Sequence, residues 1–156
     1  MQAQTDSDGA YSEDGFLDNR LIIRQRRLGH RSGQDAVLLA ACVVSEKAQS
    51  VCDLGAGAGV VGLCILARLS ETQLVGVEID PDLCLLARNN AVTNGFAERA
   101  RFVSGDVAGP FSALGLEPNG FDHVVVNPPF YQRARVPPVQ DAARARAHRA
   151  TPRATP

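Results

Sequence analysis

Three glycines at alternate positions, Gly55, Gly57 and Gly59, separate the apolar run Val51-Cys52-Asp53-Leu54 from a second apolar run that starts at Val60 and continues to Ala67. The first run reads as a short buried strand and the second as a helix apolar nearly all round, with the glycines as the turn between them. Alternating glycines adopt positive φ without steric cost and let the backbone approach a ligand closely. The amino end of the helix then points unpaired N–H groups at the same place. A chain that opens its core in this way is constrained toward an α/β fold with a parallel sheet. The stretch Gly57-Ala58-Gly59-Val60-Val61-Gly62 also fits the formal dinucleotide fingerprint, with an acid further on at Glu78. Asp53 weighs against that reading. Its charge at the strand's end opposes a pyrophosphate and suits a ligand bearing an amino group and a sulfonium. A strand, turn and helix without a ligand is the third alternative.

The pattern repeats downstream. Residues 74–79 read as a second strand, and Asp80-Pro81 supplies an N-cap and a first-turn proline for a helix running to about Asn94-Gly95. Residues 101–104 form a third strand that ends in Gly105-Asp106-Val107, and residues 121–126 a fourth that runs into Asn127-Pro128-Pro129-Phe130. Two prolines in succession can continue neither a strand nor a helix, so Asn127 and the carbonyl of Pro128 are held in a stiff loop at the strand's carboxyl end. Fixed acceptors of this kind suit a planar nitrogen that must be oriented, such as a nucleobase amine or a side-chain amide, and Phe130 adds a flat surface for stacking. Glu78 falls where an acid can accept from both ribose hydroxyls of a nucleoside. Asp53, Glu78, Asp106 and the Asn127 loop thus gather at the carboxyl ends of successive strands, where open parallel sheets bind ligands. Upstream, Leu21-Ile22-Ile23 looks like one arm of a small hairpin, and Asp35 reads as the N-cap of a helix beginning at Ala36.

The acid-and-glycine pattern Asp53, Gly55, Gly57, Gly59 together with Asn127-Pro128-Pro129-Phe130 resembles the bacterial S-adenosylmethionine-dependent methyltransferases of the small-domain type. Residues 29–41 are similar to the segment that walls the cofactor pocket in one subgroup, which methylates an adenine amine next to the anticodon of a valine tRNA. His30 stands where that subgroup usually has an aromatic residue. The resemblance implies a Rossmann-like sheet with its four strands in the order 3-2-1-4, flanked by helices and incomplete at the carboxyl end. It implies S-adenosylmethionine as cofactor, held by Asp53, Gly55, Gly57, Gly59, Glu78 and Asp106, with Asp106 accepting from the adenine amine. Asn127, Pro128, Pro129 and Phe130 would form the catalytic loop. Methyltransferases acting on a glutamine of release factors or on guanine of ribosomal RNA carry close relatives of the same tetrapeptide, so those substrates stay open.

Three segments are expected: an acidic, disordered leader over residues 1–14, the incomplete cofactor-binding domain over 15–131, and a basic, mobile Pro/Ala/Arg-rich tail over 132–156. Residues 1–19 hold five acids and no Lys or Arg, whereas Arg20, Arg24, Arg26, Arg27 and Arg31 crowd together just beyond. The tail carries Arg133, Arg135, Arg144, Arg146, Arg149 and Arg153 against the single acid Asp141. Such clusters either bind a phosphate backbone such as that of tRNA or form a solvated arginine-rich surface. No stretch suits a membrane span, and the acidic amino end is unlike a signal peptide, so a cytoplasmic location is expected. Cys42, Cys52, Cys64 and Cys84 lie in apolar segments without Cys-x-x-Cys spacing and are expected in the core, and no metal site is expected. The apolar fourth strand, left at an edge, invites self-association.

Overall fold

The computed structural model describes residues 9–44 and 49–128. It begins with an antiparallel hairpin, β1 (Tyr11–Phe16) and β2 (Leu21–Arg26), in which Phe16 faces Leu21 across the turn. Helix α1 (Gln34–Cys42) leads to the main sheet. There β3 (Ser50–Leu54), α2 (Val60–Arg68), β4 (Gln73–Glu78), α3 (Pro81–Thr93) and β5 (Ala100–Ser104) alternate, and a 3-10 turn (Phe111–Leu114) precedes β6 (His123–Val126). The sheet is parallel throughout, in the order β5-β4-β3-β6, which is the 3-2-1-4 arrangement expected.

Several local readings shift. The hairpin starts at Tyr11, so residues 11–14 belong to β1 rather than to a leader. The acid at its end explains why: Asp14 accepts from Gln25 Nε2 at 2.9 Å and pairs with Arg31, and so serves the fold. The fourth sheet strand begins at His123 because Asp122 is occupied at its start. Asp122 Oδ2 accepts from the backbone N–H and the hydroxyl of Ser50, which ties the entry of β6 to β3. Asp35 is not the N-cap of α1. Gly33 takes that position, and Asp35 sits inside the first turn. Cys52, Cys64 and Cys84 are buried, but Cys42 ends α1 on an outward face and is exposed. Burial pushes the thiols of Cys52 and Cys64 up to about 11, so they stay protonated at neutral pH.

All three helices pack with β2 in one core, formed by residues such as Leu21, Ile23, Leu63, Ile65, Leu66, Leu74 and Phe102. The opposite face of the sheet has only a small cluster, Cys52, Val77, Leu114 and Leu116. Helices therefore cover one face, not both, among the described residues. Register puts Val124 beside Cys52 and Val126 beside Leu54 on that second face, where they are 58% and 47% exposed.

Arginines close the helix ends. Arg99 donates to the carbonyls of Leu66 and Leu69 at the end of α2 and to that of Thr72 in the loop that follows, and Arg20 donates to the carbonyl of Ala67. Arg68 does the same for Ala40 and Val43 at the end of α1. The last carbonyls of a helix lack partners and carry its negative dipole end, and a planar guanidinium reaches several of them at once. Arg99→Lys is expected to lower stability by about 2 kcal/mol, because one ammonium cannot span the three carbonyls. Chemical denaturation of the two proteins checks this, and equal midpoints would show that the guanidinium geometry is unimportant.

Candidate active site

The four predicted acceptor positions stand at the carboxyl ends of four neighbouring parallel strands: Asp106 after β5, Glu78 on β4, Asp53 on β3 and Asn127 after β6. The glycine turn is drawn over them. Gly55 and Ala56 both donate to the carbonyl of Val77 at 2.8 and 2.9 Å, and Gly105 donates to the carbonyl of Glu78 at 2.9 Å.

Glu78 is only 7% exposed. Its Oε2 accepts from Gly57 N–H at 2.8 Å and its Oε1 from Asp80 N–H at 2.9 Å. Each carboxylate oxygen retains a second lone-pair direction, so this residue shapes the glycine turn and can still accept from a ligand's hydroxyls. Asp106 is exposed and folds back through Oδ1 onto Ala108 N–H at 2.8 Å.

Asp53 lies deeper than its position in the motif suggests. It is 1% exposed, and its Oδ2 accepts from Gly62 N–H in the first turn of α2 at 3.2 Å. Burial, with a further contribution from the charge of Glu78, pushes its carboxyl up to about 7. The three glycines also differ from one another. A side chain added at Gly55 or Gly57, which have φ of 76° and 57°, would meet open space. One added at Gly59 would strike the Phe102 ring at 2.9 Å. Gly55 and Gly57 therefore leave the cradle that a ligand can occupy, whereas Gly59 lets α2 settle on the sheet.

Asn127 is half-buried and donates through Nδ2 to Asp35 Oδ2 at 2.7 Å. Pro128 is exposed beside it, while Pro129 and Phe130 lie outside the described residues, as do the tail arginines. His30 is exposed in the segment between β2 and α1. Where that segment meets the hairpin there is a cavity of about 410 Å³ lined by Asp14, Phe16, Gln25, Arg31, Ser32 and Gly33.

Three residues have partners that the sequence did not announce: Asp35, which meets Asn127 and does not cap α1, and two asparagines near the end of α3. Asn90, buried in α3, donates to the carbonyls of Ala58 in the glycine turn and Arg24 in β2, and accepts from Arg24 N–H. Asn94, one turn on, makes the same donor–acceptor pair with Ile22. Two side-chain amides four residues apart thereby pair with the free edge of β2 as a strand would. Asparagine is disfavoured inside helices, and its recurrence at that spacing was the available signal. The arginine cluster is largely engaged: Arg26 pairs with Asp80 and Asp82, Arg31 with Asp14, and Arg24 lies over the Tyr11 ring at 4.7 Å.

Residues 32–149 match the profile of the family described as Methyltransferase small domain. The chain belongs to that family. Among curated proteins, the chain is 35% identical over 121 residues to a tRNA1(Val) (adenine(37)-N6)-methyltransferase of Yersinia enterocolitica, covering 77% of this chain and 47% of that protein. It is 32% identical over 137 residues to the protein of the same name from Porphyromonas gingivalis, covering 85% and 54%. The chain thus spans about half the length of the curated relatives it matches. A solved structure described as a predicted O-methyltransferase from Agrobacterium tumefaciens superposes with a TM-score of 0.57 at 32% identity, over 61% of this chain and 49% of that one. The Pyrococcus horikoshii TYW2 structure, in complex with MeSAdo, shares the fold at a TM-score of 0.60 and 17% identity, over 74% and 42%. Among the described residues no group of His, Cys, Asp and Glu could hold a metal ion, and no helix is long and apolar enough to cross a membrane.

Proposed function

We propose that this chain binds S-adenosylmethionine and transfers its methyl group to the exocyclic amine of an adenine in tRNA. One observation carries the reading: the Asn127 carboxamide stands beside the glycine turn's strand with its nitrogen held and its oxygen accepting from no described residue. The residues fit the cofactor. Gly55 and Gly57 leave room for it, Glu78 can accept from ribose hydroxyls, and Asp106 is exposed at the neighbouring strand end. When bound, the cofactor supplies a methyl group on a positively charged sulfur.

The chain's own residues do the rest. Asn127 Oδ1 and the Pro128 carbonyl would accept the amine's two hydrogens and hold its lone pair toward the methyl group, and one of the two hydrogens would be lost to solvent as a proton. Phe130 would stack on the base, which must leave its neighbours to reach the crevice. Positioning supplies most of the rate gain. A tRNA substrate implies a cytoplasmic enzyme. The tail arginines, together with any of residues 20–31 not tied up in the fold, would meet its phosphates. Val124 and Val126 offer a second copy an apolar edge for self-association.

Incubation with labelled cofactor and, separately, total tRNA, ribosomal RNA and release factor tests the reading. Label in tRNA supports it. Label in release factor or ribosomal RNA replaces it with the glutamine or guanine reading, and label in none leaves a silent cofactor-binding chain. Glu78→Gln is expected to weaken cofactor binding roughly tenfold, since it removes a charged acceptor shared by ligand and loop. Titration calorimetry showing unchanged affinity would remove Glu78 from the site.

A further inference from the structure

Asp35 joins the first turn of α1 to the end of β6 across 92 residues of sequence. Its Oδ1 accepts from Gly33 N–H at 3.0 Å, which fixes the carboxylate on the helix, and its Oδ2 accepts from Asn127 Nδ2 at 2.7 Å. A carboxamide can present either its oxygen or its nitrogen to a neighbour. An ionised carboxylate only accepts, so the amide must meet Asp35 nitrogen first, and its oxygen is left for another donor. Among the described residues Asn127 Oδ1 receives none.

We propose that Asp35 is the positioning residue of methyl transfer, holding the Asn127 carboxamide so that Oδ1 faces the substrate amine. The inference rests on the proposed function, in which Asn127 accepts from that amine. Two effects follow from one contact. The rotation that would put an N–H against the amine is blocked, and the charge-assisted bond at Nδ2 draws density toward Oδ1 and makes it a stronger acceptor. The Asn127 bond, followed by backbone N–H groups of the helix turn, holds the Asp35 carboxyl below its ordinary range, so the contact persists through neutral pH.

The test follows the Asn127 side-chain amide by 15N NMR and methyl transfer to total tRNA in the same proteins. In the wild type one Nδ2 proton should be shifted downfield and slow to exchange. Asp35→Ala should return it to the position of a solvent-exposed amide. The same variant should lower kcat roughly tenfold to a hundredfold, the scale of losing a group that orients a reacting ligand, with KM for the cofactor within about twofold. Asn127→Asp alone opposes two carboxylates and should be slower still. Combined with Asp35→Asn it restores the bond with donor and acceptor exchanged, and it should recover much of the rate, which a merely structural contact would not do. An Asn127 amide insensitive to Asp35→Ala, a kcat within twofold of wild type in that variant, or no recovery in the exchanged pair would overturn the proposal. If label enters protein rather than RNA and Asp35→Ala still slows it, the positioning role stands and only the tRNA substrate falls. A chain that transfers no methyl overturns the positioning role, and the amide resonance then reports only a structural bond.

Discussion

Asn127→Ala is expected to leave S-adenosylmethionine binding within about twofold of wild type and to lower methyl transfer by roughly a hundredfold or more, the scale for losing one oriented polar group in a transition state. The separation follows from the geometry. Asn127 bonds to Asp35 on α1, whereas the glycine turn is pinned by Glu78 and by the carbonyl of Val77, so the cradle does not depend on it. Calorimetry and a single-turnover assay on one preparation give both quantities. Equal losses in the two would make Asn127 part of the cofactor site, and an unchanged rate would remove it from the chemistry.

The second large effect concerns Asp53 and pH. Its carboxyl rises from an ordinary 3.8 to about 7 on folding, chiefly through burial. Between those values the folded protein keeps a proton that the unfolded chain has released, so stability falls as pH rises through the window and the full penalty stands above it. The difference corresponds to something on the order of 4 kcal/mol. Asp35 and Asp80 shift the other way, so their contribution is present above the ordinary carboxylate value and lost in acid. Stability should therefore peak near the ordinary carboxylate value of about 4, decline to about pH 7 and level off above it. Asp53→Asn still offers Gly62 N–H an acceptor but cannot ionise, and its stability should stay level over the declining range. Denaturation midpoints measured from pH 4 to 8 check this, and parallel curves for the two proteins would assign the decline to another group.

What the chain's local chemistry determined is the set of elements and the strand ends at which the candidate acceptors stand. Glycines at 55, 57 and 59, Asp80-Pro81 before α3 and the paired prolines after β6 each act within a few residues, so the elements were legible, whereas their sheet order came from the family resemblance. The same holds for the acids at strand ends, because a strand's boundary and its last side chain are read together. Partnership and depth were not legible. Asp35 looked like a cap because a first-turn acid suffices for that role, and nothing near it in sequence announces Asn127. Asn90 and Asn94 meet β2 across 66 and 72 residues, and in the amino-terminal arginine cluster Arg20 caps a carbonyl of α2 while Arg26 and Arg31 pair with acids brought to them by folding. Asp53 occupies its predicted strand end, yet whether it faced the crevice or the underside of α2 depended on how the helix packed. Periodicity and turn chemistry leave a footprint in neighbouring residues. A hydrogen bond between distant segments leaves none, and only the tertiary structure decides which polar atoms are left free to act on a substrate.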